Sequence, residues 1–109
     1  VECGVAEEIA ISFAEKTRLP AFAYKGPNAL KVGEVPGVWA RNLLANRIYS
    51  CPVVFLEPYI ANSKEVYQRI LLGDYEDEKM VLDKSRQSLI NEYAHSVVEG
   101  IKQSLLRAE

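Results

Sequence analysis

CPVVFLEPYIANSKEVYQRI, residues 51–70, runs from an apolar stretch onto a carboxylate, Glu57, and then through Pro58 and Tyr59 into a helix start. Consecutive β-branched and aromatic residues bounded by Pro52 and Pro58 predict a strand over Pro52–Glu57, covered on both faces as in a parallel or mixed sheet. Asn62 then reads as a helix N-cap, with Glu65 three residues on as its reciprocal partner. Val66, Tyr67, Ile70 and Leu71 form the apolar stripe of that helix, and Gly73 ends it.

Upstream, Val5, Ile9 and Phe13 recur at helical spacing, which predicts an amphipathic helix over Val5–Thr17, stopped at Leu19-Pro20 because proline disfavours helical geometry in the residue before it. Residues 20–38 hold three of the five prolines and three of the six glycines, the composition of a long surface connection, with a short helical or extended piece at Ala29–Val32. Between Trp39 and Tyr49 we read a strand around Asn42–Ala45, although Leu43, Leu44 and Ile48 also suit a helix. Downstream, residues 73–79 form an acidic loop. Ile90, Ala94, Val97, Ile101 and Leu105 then predict a helix over Ser85–Leu106 that packs this stripe on the sheet. The fold expected is α/β over residues 1–109, a layered parallel or mixed sheet flanked by helices. Two strands are narrow for so much helix, so the expectation is an incomplete part of a larger three-layer domain, its other strands supplied by upstream residues or another subunit.

The 109 residues are 49% hydrophobic and 26% charged, ordinary for one globular core. The net charge of -2 comes without a basic block, which excludes the concentrated cationic face that a nucleic acid requires. Val53–Leu56 is far shorter than the roughly 20 apolar residues of a membrane span. The opening VECGVAEEIA has no basic n-region of a secretory signal, and a start on Val1 suggests a segment of a longer protein. Cys3 and Cys51 read as small buried hydrophobes, with a disulfide between them left open.

Glu57 is the candidate for chemistry. Ligands gather beyond the carboxyl ends of strands in open α/β sheets, where a side chain is held by the strand behind it and shielded by neighbours such as Pro58 and Tyr59. The plainer reading is a strand-end acid facing solvent or capping the next helix.

The stretch Arg47–Asn62, RIYSCPVVFLEPYIAN, resembles the C-terminal signature of the zinc-dependent N-acetylmuramoyl-L-alanine amidases: an arginine, a short gap, a proline, an apolar strand ending in glutamate, then glycine, an aromatic, and an asparagine before a helix. Val5–Thr17 is similar to the family's helix before the linker, and Asn91–Leu105 to its closing helix. The resemblance implies that Glu57 is the catalytic acid and base, that Arg47 is structural or orients substrate, and that Tyr59 and Asn62 border the substrate. It implies cleavage of the amide between N-acetylmuramic acid and L-alanine of peptidoglycan, and a periplasmic or extracellular location. Pro58 and Tyr59 stand where the family has glycine and phenylalanine. The family's zinc ligands, two histidines and a glutamate, are expected upstream of Val1, because this chain has one histidine, His95. Zinc is therefore implied for the full-length member and not for this chain alone, which is expected to be inactive by itself.

The acids Asp74–Glu78 lack the alternating ligands and central glycine of a calcium loop. Ser50 and Cys51 have no histidine placed in sequence to activate them, so a different hydrolase using Glu57 with Tyr59 or Arg47 ranks lowest. The alternative from another class is a non-catalytic α/β module that binds, or forms homo-oligomers, through exposed apolar surface.

Overall fold

The computed structural model describes residues 1–108, and its first helix, α1 (Glu2–Thr17), starts earlier than its apolar spacing predicts but stops where expected. Arg18 closes it in the left-handed region at φ 56°, its N–H donating to the Ala14 carbonyl at 3.1 Å. The open carbonyls of the last turn are met by Arg86, whose Nη2 donates to the Thr17 carbonyl at 3.1 Å and Nη1 to that of Lys16 at 3.5 Å. Arg86 is itself neutralised by Glu65 Oε1 at 3.2 Å, so a single guanidinium joins three elements.

Among the described residues, two small antiparallel sheets and four helices make the fold α/β. β1 (Ala29–Lys31) pairs with β2 (Trp39–Arg41) in the register Ala29↔Arg41, Leu30↔Ala40, Lys31↔Trp39. Lys31 Nζ donates to the carbonyls of Val35 at 2.6 Å and Val32 at 3.1 Å, which gathers the loop between the strands around one ammonium. The strand expected at Asn42–Ala45 lies three residues earlier, as β2, and the helical alternative prevails for α2 (Leu44–Ile48). β3 (Lys79–Val81) and β4 (Lys84–Arg86) form the second hairpin, which the acidic composition before it and the helical spacing after it concealed.

The layered parallel or mixed sheet is not observed among the described residues. Pro52–Glu57 belongs to no strand, and among the described residues no backbone hydrogen bond joins it to another segment. β-Branched composition states only that a segment suits a pleated surface, and a ladder needs a partner on at least one side. Val53, Val54 and Leu56 are accordingly half-buried and Phe55 is exposed.

α3 (Lys64–Leu72) is capped by Ser63, whose Oγ accepts from the Val66 N–H at 3.5 Å, one residue later than Asn62. Glu65 is drawn inward to Arg86 instead of back to the cap. Gly73 ends α3 as expected, at φ 67°.

α4 (Leu89–Arg107) begins after β4, capped by Ser88 Oγ, and runs antiparallel to α1: Phe13 meets Tyr93 edge-on, Gly100 meets Ile9, and Arg107 pairs with Glu8. The face it buries holds Glu92, Ser96 and Gly100, while Ile90 and Leu105 of the expected stripe are 58% and 66% exposed. The reason is close approach. A methyl group on Gly100 would stand 2.5 Å from Ile9 Cα, so only the small-residue face lets the two backbones meet. Gly100→Ala therefore has to push α1 away, and we expect a loss of about 1–3 kcal/mol in urea unfolding, as for overpacked cores. An unchanged urea midpoint would place the helices further apart.

Among the described residues the buried apolar side chains of the core are few: Ile9, Phe13, Val38, Val66 and Val81. The radius of gyration is 15.0 Å, above the roughly 13 Å of a compact chain of this size. The centre is held instead by ionic hydrogen bonds. Arg69 and Glu92, with side chains 0% and 2% exposed, form a bidentate pair at 2.9 and 3.2 Å.

Candidate functional site

Glu57 sits where the irregular segment after Pro52 passes the β1–β2 hairpin, its side chain 53% exposed. The Tyr24 hydroxyl donates to Glu57 Oε2 at 2.7 Å, and Arg41 Nη1 donates to the same oxygen at 3.3 Å. The Arg41 guanidinium lies 4.1 Å above the Tyr24 ring, and that ring packs edge-on against Phe22 and Trp39 with centroids 5.1 and 5.5 Å away. The hydrogen bond to the Glu57 carboxylate, followed by burial, raises the Tyr24 pKa above the ordinary phenol value, so the shared proton stays on the tyrosine. An open pocket of about 260 Å³ lies alongside, lined by Phe22, Tyr24, Glu57, Tyr59 and Ile60.

The linker delivers Tyr24, and β2 delivers Arg41 because its strand register directs that side chain toward the linker. Pro-Gly composition conceals Tyr24, and no motif in the sequence marks Arg41. The structure brings neither Arg47 nor Asn62 to Glu57: both are exposed, one on α2 and the other in the turn before α3. An aromatic platform and an arginine converging on a carboxylate from separate segments is a tertiary feature with no local signal in the sequence.

Tyr59 lines the pocket but is also a strut. Its hydroxyl donates to Glu92 Oε1 at 3.0 Å and its ring meets Phe13 edge-on, so the chain two residues past Glu57 is fixed to the buried Arg69–Glu92 pair. Burial, followed by the Glu92 charge, raises the Tyr59 pKa. A phenol whose folded pKa exceeds its unfolded one adds stability below the unfolded value, and that stability is lost as pH rises. The urea midpoint is thus expected to fall from about pH 10 upward, and Tyr59→Phe to flatten the decline. An equally steep fall in that variant would place the titration elsewhere.

The chemistry of the donors does not fit zinc. His95 Nδ1 is bonded to Gln87 Oε1 at 3.1 Å on an exposed part of α4, and among the described residues no three His, Cys, Asp or Glu side chains converge. Glu57 meets a phenol and a guanidinium, neither of them a zinc ligand of ordinary proteins. Cys3 and Cys51 are both exposed and unpaired, unlike the buried hydrophobes expected. No described helix is long and apolar enough to cross a membrane.

The arrangement offers one carboxylate with an oxygen anchored by two donors, at the edge of a small pocket with aromatic and aliphatic walls. A half-exposed carboxylate beside apolar walls can meet a polar group of a small ligand while the walls cover its apolar part. Comparison with known proteins identifies no matching family model, no similar curated protein and no similar solved structure.

Proposed function

We propose that this chain is the part of an N-acetylmuramoyl-L-alanine amidase, a peptidoglycan hydrolase, that carries the proton-transferring glutamate, Glu57. The observation that supports it is the placement of Glu57: half exposed, at the edge of a pocket, anchored through Oε2 alone. In the reaction, Glu57 accepts a proton from the water whose oxygen bonds to the amide carbonyl carbon. It then returns that proton to the nitrogen as the carbon–nitrogen bond breaks, leaving the lactyl carboxylic acid and the amine of L-alanine, which at neutral pH become carboxylate and ammonium. Zinc, implied by the resemblance, belongs in this reading to residues outside the sequence, and residues 52–57 become a strand once such residues supply a sheet. The exposed α4 stripe and Phe55 are the surfaces that sheet would cover.

The same apolar exposure favours a second reading, a non-catalytic module that pairs with another chain. Zinc analysis and muropeptide hydrolysis separate the two, measured on the 109-residue chain and on the gene product carrying its upstream coding sequence. Zinc and release of L-alanine peptides by the longer protein alone support the amidase. Their absence from both overturns it and leaves the pairing module.

A further inference from the structure

We propose that Tyr24 and Arg41 are positioning residues for Glu57, holding Oε2 so that Oε1 is the oxygen that carries the proton; this rests on the amidase reading. Both donors end on Oε2, at 2.7 and 3.3 Å, and among the described residues Oε1 receives no hydrogen bond. A carboxylate left to rotate would exchange its two oxygens, but two charge-assisted or phenolic donors on one oxygen hold that oxygen and leave the other without a donor, free to take a proton.

The donors are themselves braced. Arg41 stacks on Tyr24 at 4.1 Å, and Phe22 and Trp39 pack edge-on against the same ring, which narrows the orientations open to the hydroxyl. Little of this serves stability. A half-exposed ion pair contributes about 0–1 kcal/mol. Arg41 Nε, buried and unpartnered among the described residues, costs about 1–3 kcal/mol. A cluster drawn from the linker, β2 and the segment after Pro52 that returns so little to the fold is better explained by what it does to Glu57. Holding the reacting atom in place is the contribution such groups make, since a misplacement of about 1 Å lowers rate roughly a hundredfold.

The test has two arms. In the first, the 109-residue chain labelled with carbon-13 at tyrosine Cζ is titrated. The Tyr24 resonance should titrate at lower pH in Glu57→Gln and at higher pH in Arg41→Gln than in the unaltered chain. Absence of both shifts means that the clamp does not form in solution, and the proposal falls. In the second arm, hydrolysis of a muropeptide by the zinc-loaded longer gene product is compared with its Tyr24→Phe and Arg41→Lys variants. Tyr24→Phe should lower kcat about tenfold or more with KM unchanged, and Arg41→Lys should keep more activity than Arg41→Gln. Unchanged kcat in Tyr24→Phe overturns the positioning role while the amidase reading stands. An inactive parent enzyme overturns that reading, and with it the positioning role, while the tyrosine titration still reports the contact.

Discussion

Replacing Glu92 with alanine, or Arg69 with methionine, is expected to remove about 3–5 kcal/mol of stability, because each change leaves the opposite charge buried without its partner. The two side chains are essentially inaccessible and share two hydrogen bonds, at 2.9 and 3.2 Å. Arg69 Nη2 also donates to the Gln87 carbonyl at 2.9 Å, and Tyr59 donates to Glu92 Oε1. A domain of this length has a total stability of roughly 5–15 kcal/mol, so either change approaches the whole of it. With five buried apolar side chains among the described residues, there is little else to hold α3 against α4. Urea unfolding by circular dichroism measures the loss. The double change Arg69→Met with Glu92→Leu should be less harmful than either single one, since it leaves no orphaned charge. A single variant that loses under about 1 kcal/mol would mean that water reaches the pair and screens it, as at exposed ion pairs. The effect reaches the candidate site as well: Tyr59 hangs from Glu92, and Glu57 lies two residues before it.

What could be read from the sequence follows from how local each signal is. α1 and the end of α3 at Gly73 were legible because an apolar period and a left-handed glycine are properties of a few neighbouring residues. The α4 period was equally clear, yet it named the wrong buried face. Periodicity identifies which residues could share a surface, but the partner decides which face is used, and α1 accepts only the small residues around Gly100. Pro52–Glu57 was misread for the same reason: its composition suits a sheet that the described residues do not supply. Asn62 and Ser63 both cap well, and the choice between them turned on one residue of register. Glu57 was found through its position after an apolar run. Tyr24 and Arg41 were not, since they lie 33 and 16 residues from the carboxylate and nothing in their own neighbourhoods announces the contact.

Glu57→Gln in the zinc-loaded longer gene product is expected to lower kcat for muropeptide hydrolysis by about a hundredfold to ten-thousandfold, the usual contribution of a general acid–base group. Glutamine is the informative replacement. It keeps the length and shape of the side chain and an oxygen that can accept from Tyr24 and Arg41, but it cannot take a proton from water at neutral pH. Because the residue is half exposed and its ion pair contributes little to the fold, the urea midpoint and zinc content should stay near those of the parent. That combination, lost turnover in an intact protein, separates a proton-transfer role from a structural one. Glu57→Asp should also be slow, since shortening the side chain by one methylene draws the carboxylate away from both donors and from the pocket edge. If Glu57→Gln instead retains activity within about twofold, another group must move the proton, and Glu57 is a surface acid tethered by Tyr24 and Arg41. In that event the pocket beside Phe22 and Tyr59 would be better tested for binding than for hydrolysis.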